Sequence, residues 1–141
     1  MTNQELIETL TKQHRKLQKD LTSALEKSND ISNKKDEILI ELTTFKTDLL
    51  EHLELENGTF YPAYLEKKKE LGESIQSTEE FINKMSEIGE KVFAFLNKYS
   101  TTETIKENPT NFTNELSTIT ATLNTRVETE EEGVYGVFLL L

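Results

Sequence analysis

Apolar residues recur along this chain at the spacing of α-helices in four separate stretches. The first runs from Thr2 to Lys27 and the second from Lys35 to Glu56 or beyond, while the third begins near Ser77 and the fourth at Pro109. Their apolar stripes are Leu6, Leu10, Leu17, Leu21 and Leu25; Ile38, Leu42, Phe45 and Leu49; Phe81, Met85, Ile88, Val92, Phe95 and Tyr99; and Phe112, Leu116, Ile119 and Leu123. Four amphipathic helices with short connectors predict an all-α fold, an antiparallel up-down four-helix bundle.

Capping signals mark two of the predicted helix starts. Asn108 is a favourable N-cap residue, and Pro109 suits the first helical position because its missing N–H is not needed there. The stretch Ser77–Glu80 has the form of a capping box. Gly58 and Pro62 are expected to weaken or kink the end of the second helix.

Polar residues interrupt the apolar stripes at one level of the predicted bundle. His14 lies in the first stripe, His52 and Glu56 continue the second, and Arg126 and Glu130 interrupt the fourth. Counting residues from the connectors at about 1.5 Å each places these positions at a similar height. An unpaired buried charge costs several kcal/mol, which is a large part of the free energy of unfolding of a domain. We therefore expect the five residues to interact with one another.

The two halves of the sequence resemble each other. A shift of 71 residues aligns the first helix with the third, and a shift of 74 aligns the second helix with the fourth. His14, His52 and Glu56 then correspond to Met85, Arg126 and Glu130. The pattern predicts an internal pseudo-twofold repeat whose second half carries Met–Arg–Glu where the first carries His–His–Glu.

Composition limits the function classes that fit this chain. Its 141 residues suit one domain spanning 1–141, and its net charge of −10 argues against nucleic acid and anionic membranes as partners. The absence of cysteine excludes disulfides and thiolate metal sites. No apolar run is long enough to cross a bilayer and no signal peptide is visible at Met1, so we expect a cytoplasmic protein.

The stripe-interrupting residues resemble those of the hemerythrin-like, HHE cation-binding domains. The resemblance rests on His14–Leu17, His52–Glu56 and Phe60–Pro62, with a weaker copy in Arg126–Glu131 and Val134–Tyr135. It covers nearly the whole chain. It implies two metal ions, usually iron, held inside the bundle by histidines from all four helices and by two bridging carboxylates. Members of the family bind or sense oxygen, nitric oxide or iron.

This chain has too few histidines for the full site that the resemblance implies. It contains two, where the family uses about five. Carried over by position, His14 and His52 would serve one metal, and Glu56 and Glu130 would be the bridging carboxylates. Glu131 is an alternative to Glu130, since that spacing varies within the family.

The place of the second metal lacks ligands in the sequence. Met85 and Arg126 stand where histidines would be needed; a thioether is a poor ligand for ferric iron, and a guanidinium stays protonated and cannot bind metal. We hypothesise that Arg126 replaces the second metal as the counter-charge of Glu56 and Glu130. Three states stay open at this point: no metal with a buried ion cluster, one metal (iron, zinc or manganese), or two.

The sequence favours a divergent hemerythrin-like binding or sensing protein, with O2 or NO as a ligand if a metal is bound. The alternatives are a helical scaffold or regulatory protein without metal and a functional di-iron O2- or NO-binding protein. We expect no enzyme, because neither histidine carries the Glu-x-x-His spacing of di-iron carboxylate enzymes. The apolar Val137–Leu141 segment is expected to pack across the bundle end, with a homodimer or protein partner as the alternative.

Overall fold

The protein is helical throughout and contains no strand. The computed structural model describes all residues, Met1–Leu141. The α-helices are α1 (Asn3–Lys27), α2 (Ile31–Leu55), α3 (Tyr61–Glu70), α4 (Gln76–Lys98), α5 (Thr102–Glu107), α6 (Pro109–Glu130) and α7 (Gly136–Leu140). A 3₁₀ turn covers Ser28–Asp30, and π-helical segments cover Glu56–Phe60 and Glu131–Tyr135. The all-α prediction is confirmed, and none of the helices combines the length and apolar character that crossing a membrane requires.

The starts of α1 and α6 follow directly from capping chemistry. The Thr2 hydroxyl accepts a hydrogen bond from the Glu5 N–H, and the Glu5 carboxylate accepts one from the Thr2 N–H. At α6 the Asn108 side chain accepts from the Asn111 N–H, and Pro109 takes the first helical position, as predicted.

The predicted capping box at the third helix is wrong. Helix α4 begins at Gln76, so Ser77 lies inside its first turn, and the N-cap residue Ile75 makes no side-chain capping bond.

The connectors also differ from the prediction, because they are themselves largely helical. Ile31 and Ile105 are buried, and covering these two side chains holds the start of α2 and the short α5 against the core.

Neighbouring long helices run antiparallel. Between α1 and α2, the Lys16 Nζ lies 2.8 Å from the Asp48 Oδ1, and the Ser23 Oγ lies 2.5 Å from the Glu41 Oε1. Residue numbers therefore rise along one helix as they fall along the other, and the same reversal relates α6 to both α1 and α4. The grouping of these elements into four helices and the internal repeat stay predictions.

The apolar core is divided into two parts by a polar layer. A cluster of eighteen buried residues fills one part and a cluster of nine fills the other. Along α1, Leu10 belongs to the smaller cluster and Leu17 to the larger, with His14 between them. The buried apolar residues of α2 and α6 belong to the larger cluster, and those of the segments that follow each helix belong to the smaller one. The ends of these two helices therefore lie at the layer where polar side chains meet.

Wide helical turns follow the polar layer on both α2 and α6. Gly58 and Pro62 do not end the second helix, as the sequence suggested they could; the chain passes through the π-helical segment Glu56–Phe60 and continues as α3. Pro62 has no N–H to offer the carbonyl four residues earlier, which favours a wider turn there. The extra residue of a π turn allows the consecutive residues Phe60 and Tyr61 both to be buried.

Asp20 and Asp48 face each other across α1 and α2, and Lys16 and Glu41 lie near the pair. Burial raises the pKa of Asp20 to about 7, and the hydrogen bond and charge of Asp48 add to the shift. Burial would also raise the pKa of Asp48, but the hydrogen bonds from Asp20 and Lys16 hold it below its usual value. The pair therefore shares one proton below about pH 7.

Asp20→Asn is expected to raise the melting temperature by a few degrees at pH 8 and by less at pH 5.5. A carboxyl whose pKa is higher in the folded state binds more protons there, so its contribution to stability is lost as pH rises from about 4 to about 7. Asparagine has nearly the shape of a protonated aspartic acid and stays uncharged at both pH values. Thermal unfolding at both pH values measures the difference, with the exposed Asp36→Asn as the matched control. An equal shift at both pH values would contradict the shared proton.

Candidate metal centre

Five buried polar side chains form the layer between the two apolar clusters. His14, His52, Glu56, Arg126 and Glu130 are each at most 5 % exposed. The two imidazole ring centroids lie 4.7 Å apart. The structure thus brings together all the residues that the sequence placed at one level.

His52 presents one of its ring nitrogens to the centre without a hydrogen bond. Its Nδ1 lies 2.8 Å from the Gln13 Oε1, an oxygen that only accepts, so Nδ1 carries a proton. The Nε2 atom is buried and unpartnered, although the Glu56 Oε2 lies 2.9 Å away. A ring nitrogen and a carboxylate oxygen at this distance can share one cation, either a proton on Nε2 or, with Nε2 neutral, a metal ion bound by both atoms.

His14 is held in a similar way from α6. Its Nδ1 lies 2.7 Å from the Glu131 Oε2, while its Nε2 lies 3.4 Å from the Glu130 Oε1 and 3.3 Å from the Tyr135 hydroxyl. Burial lowers the pKa of His14 despite the opposing Glu131 hydrogen bond, which favours a neutral imidazole. Glu130 therefore faces the centre, whereas Glu131 supports the outer nitrogen of His14 and pairs with Arg15.

Arg126 lies between the two carboxylates. Its Nη2 donates to the Glu56 Oε1 at 2.7 Å, its Nε to the Glu130 Oε1 at 3.3 Å, and its Nη1 to the Met85 carbonyl at 3.0 Å. Burial opposes the charge of Arg126, but the two carboxylates outweigh this and raise its pKa. The counter-charge hypothesis requires this arrangement, with the guanidinium facing Glu56 and away from solvent.

One of the two carboxylates carries a proton. Burial acts to raise the pKa of both, yet hydrogen bonds with the Glu130 carboxyl and the His52 imidazole, together with the charge of Arg126, hold the pKa of Glu56 well below its usual value. The charge on Glu56 then adds to burial and raises the pKa of Glu130 well above its usual value. A charged Glu56, a neutral Glu130 and Arg126 sum to no net charge.

Two tyrosines bond to the carboxylates in a crossed pattern. Tyr61 follows Glu56 in the chain but donates to the Glu130 Oε2 at 2.7 Å, and Tyr135 follows Glu130 but donates to the Glu56 Oε2 at 2.8 Å. Burial raises the pKa of both phenols, so both remain donors. These two hydroxyl bonds tie the two halves of the chain together.

The residues of the layer could hold a metal ion. Ligand atoms from His14, His52, Glu56 and Glu130 all lie within 4.8 Å of one another. Two imidazoles and two carboxylates match the preferences of Fe(II), zinc and manganese. A cavity of about 10 Å³ beside His14 and His52 has room for one water-sized molecule.

Comparison with known families agrees with this geometry. A family model described as the hemerythrin HHE cation binding domain matches residues 5–138. The chain belongs to this family. Comparisons with curated proteins and with solved structures gave no significant match.

Within this hemerythrin-like domain, the group His14, His52, Glu56 and Glu130 could hold a metal cation. The residue types do not distinguish among iron, zinc and manganese, because each accepts mixed nitrogen and oxygen ligands. The family match thus agrees with the resemblance drawn from the sequence and leaves the metal to experiment.

Proposed function

We propose that this hemerythrin-like protein holds one metal ion at His14, His52, Glu56 and Glu130 and serves as a binding or sensing module without catalytic activity. The unpartnered Nε2 of His52 carries this proposal. A buried polar atom without a partner costs about 1–3 kcal/mol, and a cation between this nitrogen and the Glu56 Oε2 would remove that cost. Protonation of Nε2 would remove it too, and the metal measurement below separates the two cases.

Arg126 limits the site to one ion. The Glu56 carboxylate has its Oε1 on the guanidinium and its Oε2 beside His52 and Tyr135. Glu56 thus has one oxygen on the Arg126 guanidinium and the other at the proposed metal position, much as a bridging carboxylate has one oxygen on each of two metals. A second cation would have to displace Arg126 from its three hydrogen bonds, and the guanidinium would repel it.

Chain residues around the site hold the ligands and exclude solvent. Gln13 and Glu131 fix the outer nitrogens of the imidazoles, so the inner nitrogens point at one place. The apolar side chains of Leu17, Leu49 and Val92 line the small cavity beside the histidines. A bound metal would supply an open coordination position there for a small ligand such as O2 or NO.

The predicted four-helix grouping and internal repeat belong to the same proposal. Helices α2 and α6 are each followed by a π-helical segment with glycine in its third position, Gly58 and Gly133. Each half also contributes one tyrosine to the other half's glutamate. In this grouping α3 extends α2, α7 extends α6, and α5 lies in a connector.

We also propose that the protein is cytoplasmic and has no nucleic-acid or membrane partner, on the basis of its acidic composition.

Cobalt(II) titration under anaerobic conditions tests the single-metal site. The visible absorption of the bound ion is expected to saturate at about one equivalent per chain, since only one group of four ligands is present. His52→Ala is expected to abolish the signal. No signal in the native protein would leave a helical scaffold without metal, and saturation at two equivalents would overturn the role given to Arg126.

Gln13→Ala is expected to weaken cobalt binding by about 10–100-fold without abolishing it, the usual effect of removing a group that orients a ligating histidine. Gln13 touches the Nδ1 of His52 and cannot reach the inner side of the ring. Gln18→Ala is the matched control, because Gln18 lies on the same helix and bonds to Asn124. Equal affinities of the two variants would show that Gln13 does not orient His52.

A further inference from the structure

A surface cleft meets the small cavity beside the histidines. The cleft, of about 150 Å³, lies between α2 and α4 and has Arg126 at its inner end. Its lining residues are Leu53, Asn57, Ser86, Gly89, Glu90, Phe93 and Arg126. Gly89 and Arg126 also line the internal cavity of about 10 Å³, so the cleft and the cavity have these two residues in common.

Gly89 contributes no side chain to the lining that the cleft and the cavity share. It is a buried glycine in the middle of α4, a position where glycine costs about 0.5–1 kcal/mol relative to alanine. A Cβ placed on it would lie 3.6 Å from the Arg126 Nη1, an ordinary van der Waals contact. Close packing therefore does not require glycine here, and a larger side chain would press against the Arg126 guanidinium where the cleft and the cavity share their lining.

We propose that the α2–α4 cleft is the access route by which small uncharged molecules reach the cavity beside His14 and His52, with Gly89 as the residue that keeps it open. The inference deepens the proposed function, since it names the path and the class of ligand for that site. The guanidinium at the inner end disfavours entry of cations, so the route suits a small neutral ligand better than the metal itself.

A second surface cavity provides the comparison. It lies between α1 and α2, has a volume of about 120 Å³, and is lined by Gln13, Lys16, Asp48 and Glu51. None of these residues lines the internal cavity. An uncharged molecule entering there would still have to pass the Gln13–His52 hydrogen bond, whereas the α2–α4 cleft shares Gly89 and Arg126 with the internal cavity.

An introduced thiol measures access, because the chain has no cysteine of its own. Val92 lines the internal cavity and not the cleft, so Val92→Cys places the thiol at the end of the proposed route. The probe is methyl methanethiosulfonate, a small neutral reagent, and the rate of modification is followed by mass spectrometry on metal-free protein. The result therefore does not depend on whether the native protein binds a metal.

Adding Gly89→Val to Val92→Cys is expected to slow modification by about tenfold or more, because the side chain fills the passage while the fold stays closed to other entry. Leu53→Trp, which fills the cleft from α2, is expected to slow it as well. Gly133→Val is the matched control, since a Cβ there meets nothing within 4 Å. Equal modification rates with Gly89→Val, Leu53→Trp and Gly133→Val would overturn the proposed route. Modification rates that vary only with the unfolding free energies of these variants would overturn it as well.

Discussion

Arg126→Ala is expected to lower the free energy of unfolding by about 3–5 kcal/mol, the usual cost of removing one partner from a buried ion pair. The guanidinium makes three hydrogen bonds and is the only arginine or lysine group in contact with the buried carboxylates of Glu56 and Glu130. Without it, the charge on Glu56 would have to be neutralised by taking up a proton. The loss is a property of the polar layer itself and is measured on metal-free protein.

Urea unfolding followed by circular dichroism measures this effect. The matched control is Arg15→Ala, because the Arg15 side chain is 54 % exposed and pairs with Glu131 at the surface, where such pairs contribute about 0–1 kcal/mol. If Arg126→Ala does not fold, two other variants are compared instead. One is the single variant Arg126→Met, and the other is the double variant Arg126→Met with Glu56→Gln. The double variant should recover stability, since it removes the unpaired charge. Equal losses for Arg126→Ala and Arg15→Ala would contradict the buried ion cluster.

Tyr135→Phe is expected to cost about 1.5–3 kcal/mol of unfolding free energy, the range for a hydrogen bond to a charged group. The lost hydroxyl donates to the Glu56 Oε2 at 2.8 Å, and no water can replace it in a fully buried site. The ring itself stays, so its packing against Phe60 is unchanged.

Tyr64→Phe is the control for that variant, because Tyr64 is a buried tyrosine outside the polar layer. Urea unfolding of both proteins should give a clearly larger loss for Tyr135→Phe. If the two losses agree, the crossed tyrosine bonds do not stabilise the layer, and Tyr135 only fills space at the bundle end.

The level of the polar layer could be predicted from the sequence because helical rise is regular. Counting residues from the connectors placed His14, His52 and Arg126 at one height, and the structure brings them together. The start of α6 was equally predictable, since Asn108–Pro109 is a local signal that needs no tertiary contact. The Ser77 capping box failed because the helix begins one residue earlier, at Gln76.

Residues that support the layer from outside could not be predicted. Gln13 precedes His14 by one position, so on a helix it points about 100° away, and only the packing of α1 on α2 brings it to His52. The sequence indicated Glu131 only as an alternative to Glu130, yet it holds the outer nitrogen of His14. Helical periodicity identifies the inner face of each helix and carries no information about contacts at the edges of that face.

The sequence contains a signal for the crossed tyrosine bonds. Tyr61 and Tyr135 occupy corresponding positions after Glu56 and Glu130 in the predicted repeat. A regular α-helix would have carried them off the inner face, and the π-helical segments return them to it. A wide turn of one extra residue has no reliable sequence pattern, although Gly58 and Gly133 stand at its centre in both cases.

Iron counting tests the central claim most directly. The protein is loaded anaerobically with Fe(II), freed of excess metal, and weighed intact by native mass spectrometry beside its His52→Ala variant. One iron per chain in the native protein and none in the variant is the predicted result, since four ligands serve one ion and Arg126 fills the place of another. Two irons per chain, or none, would contradict a one-metal centre.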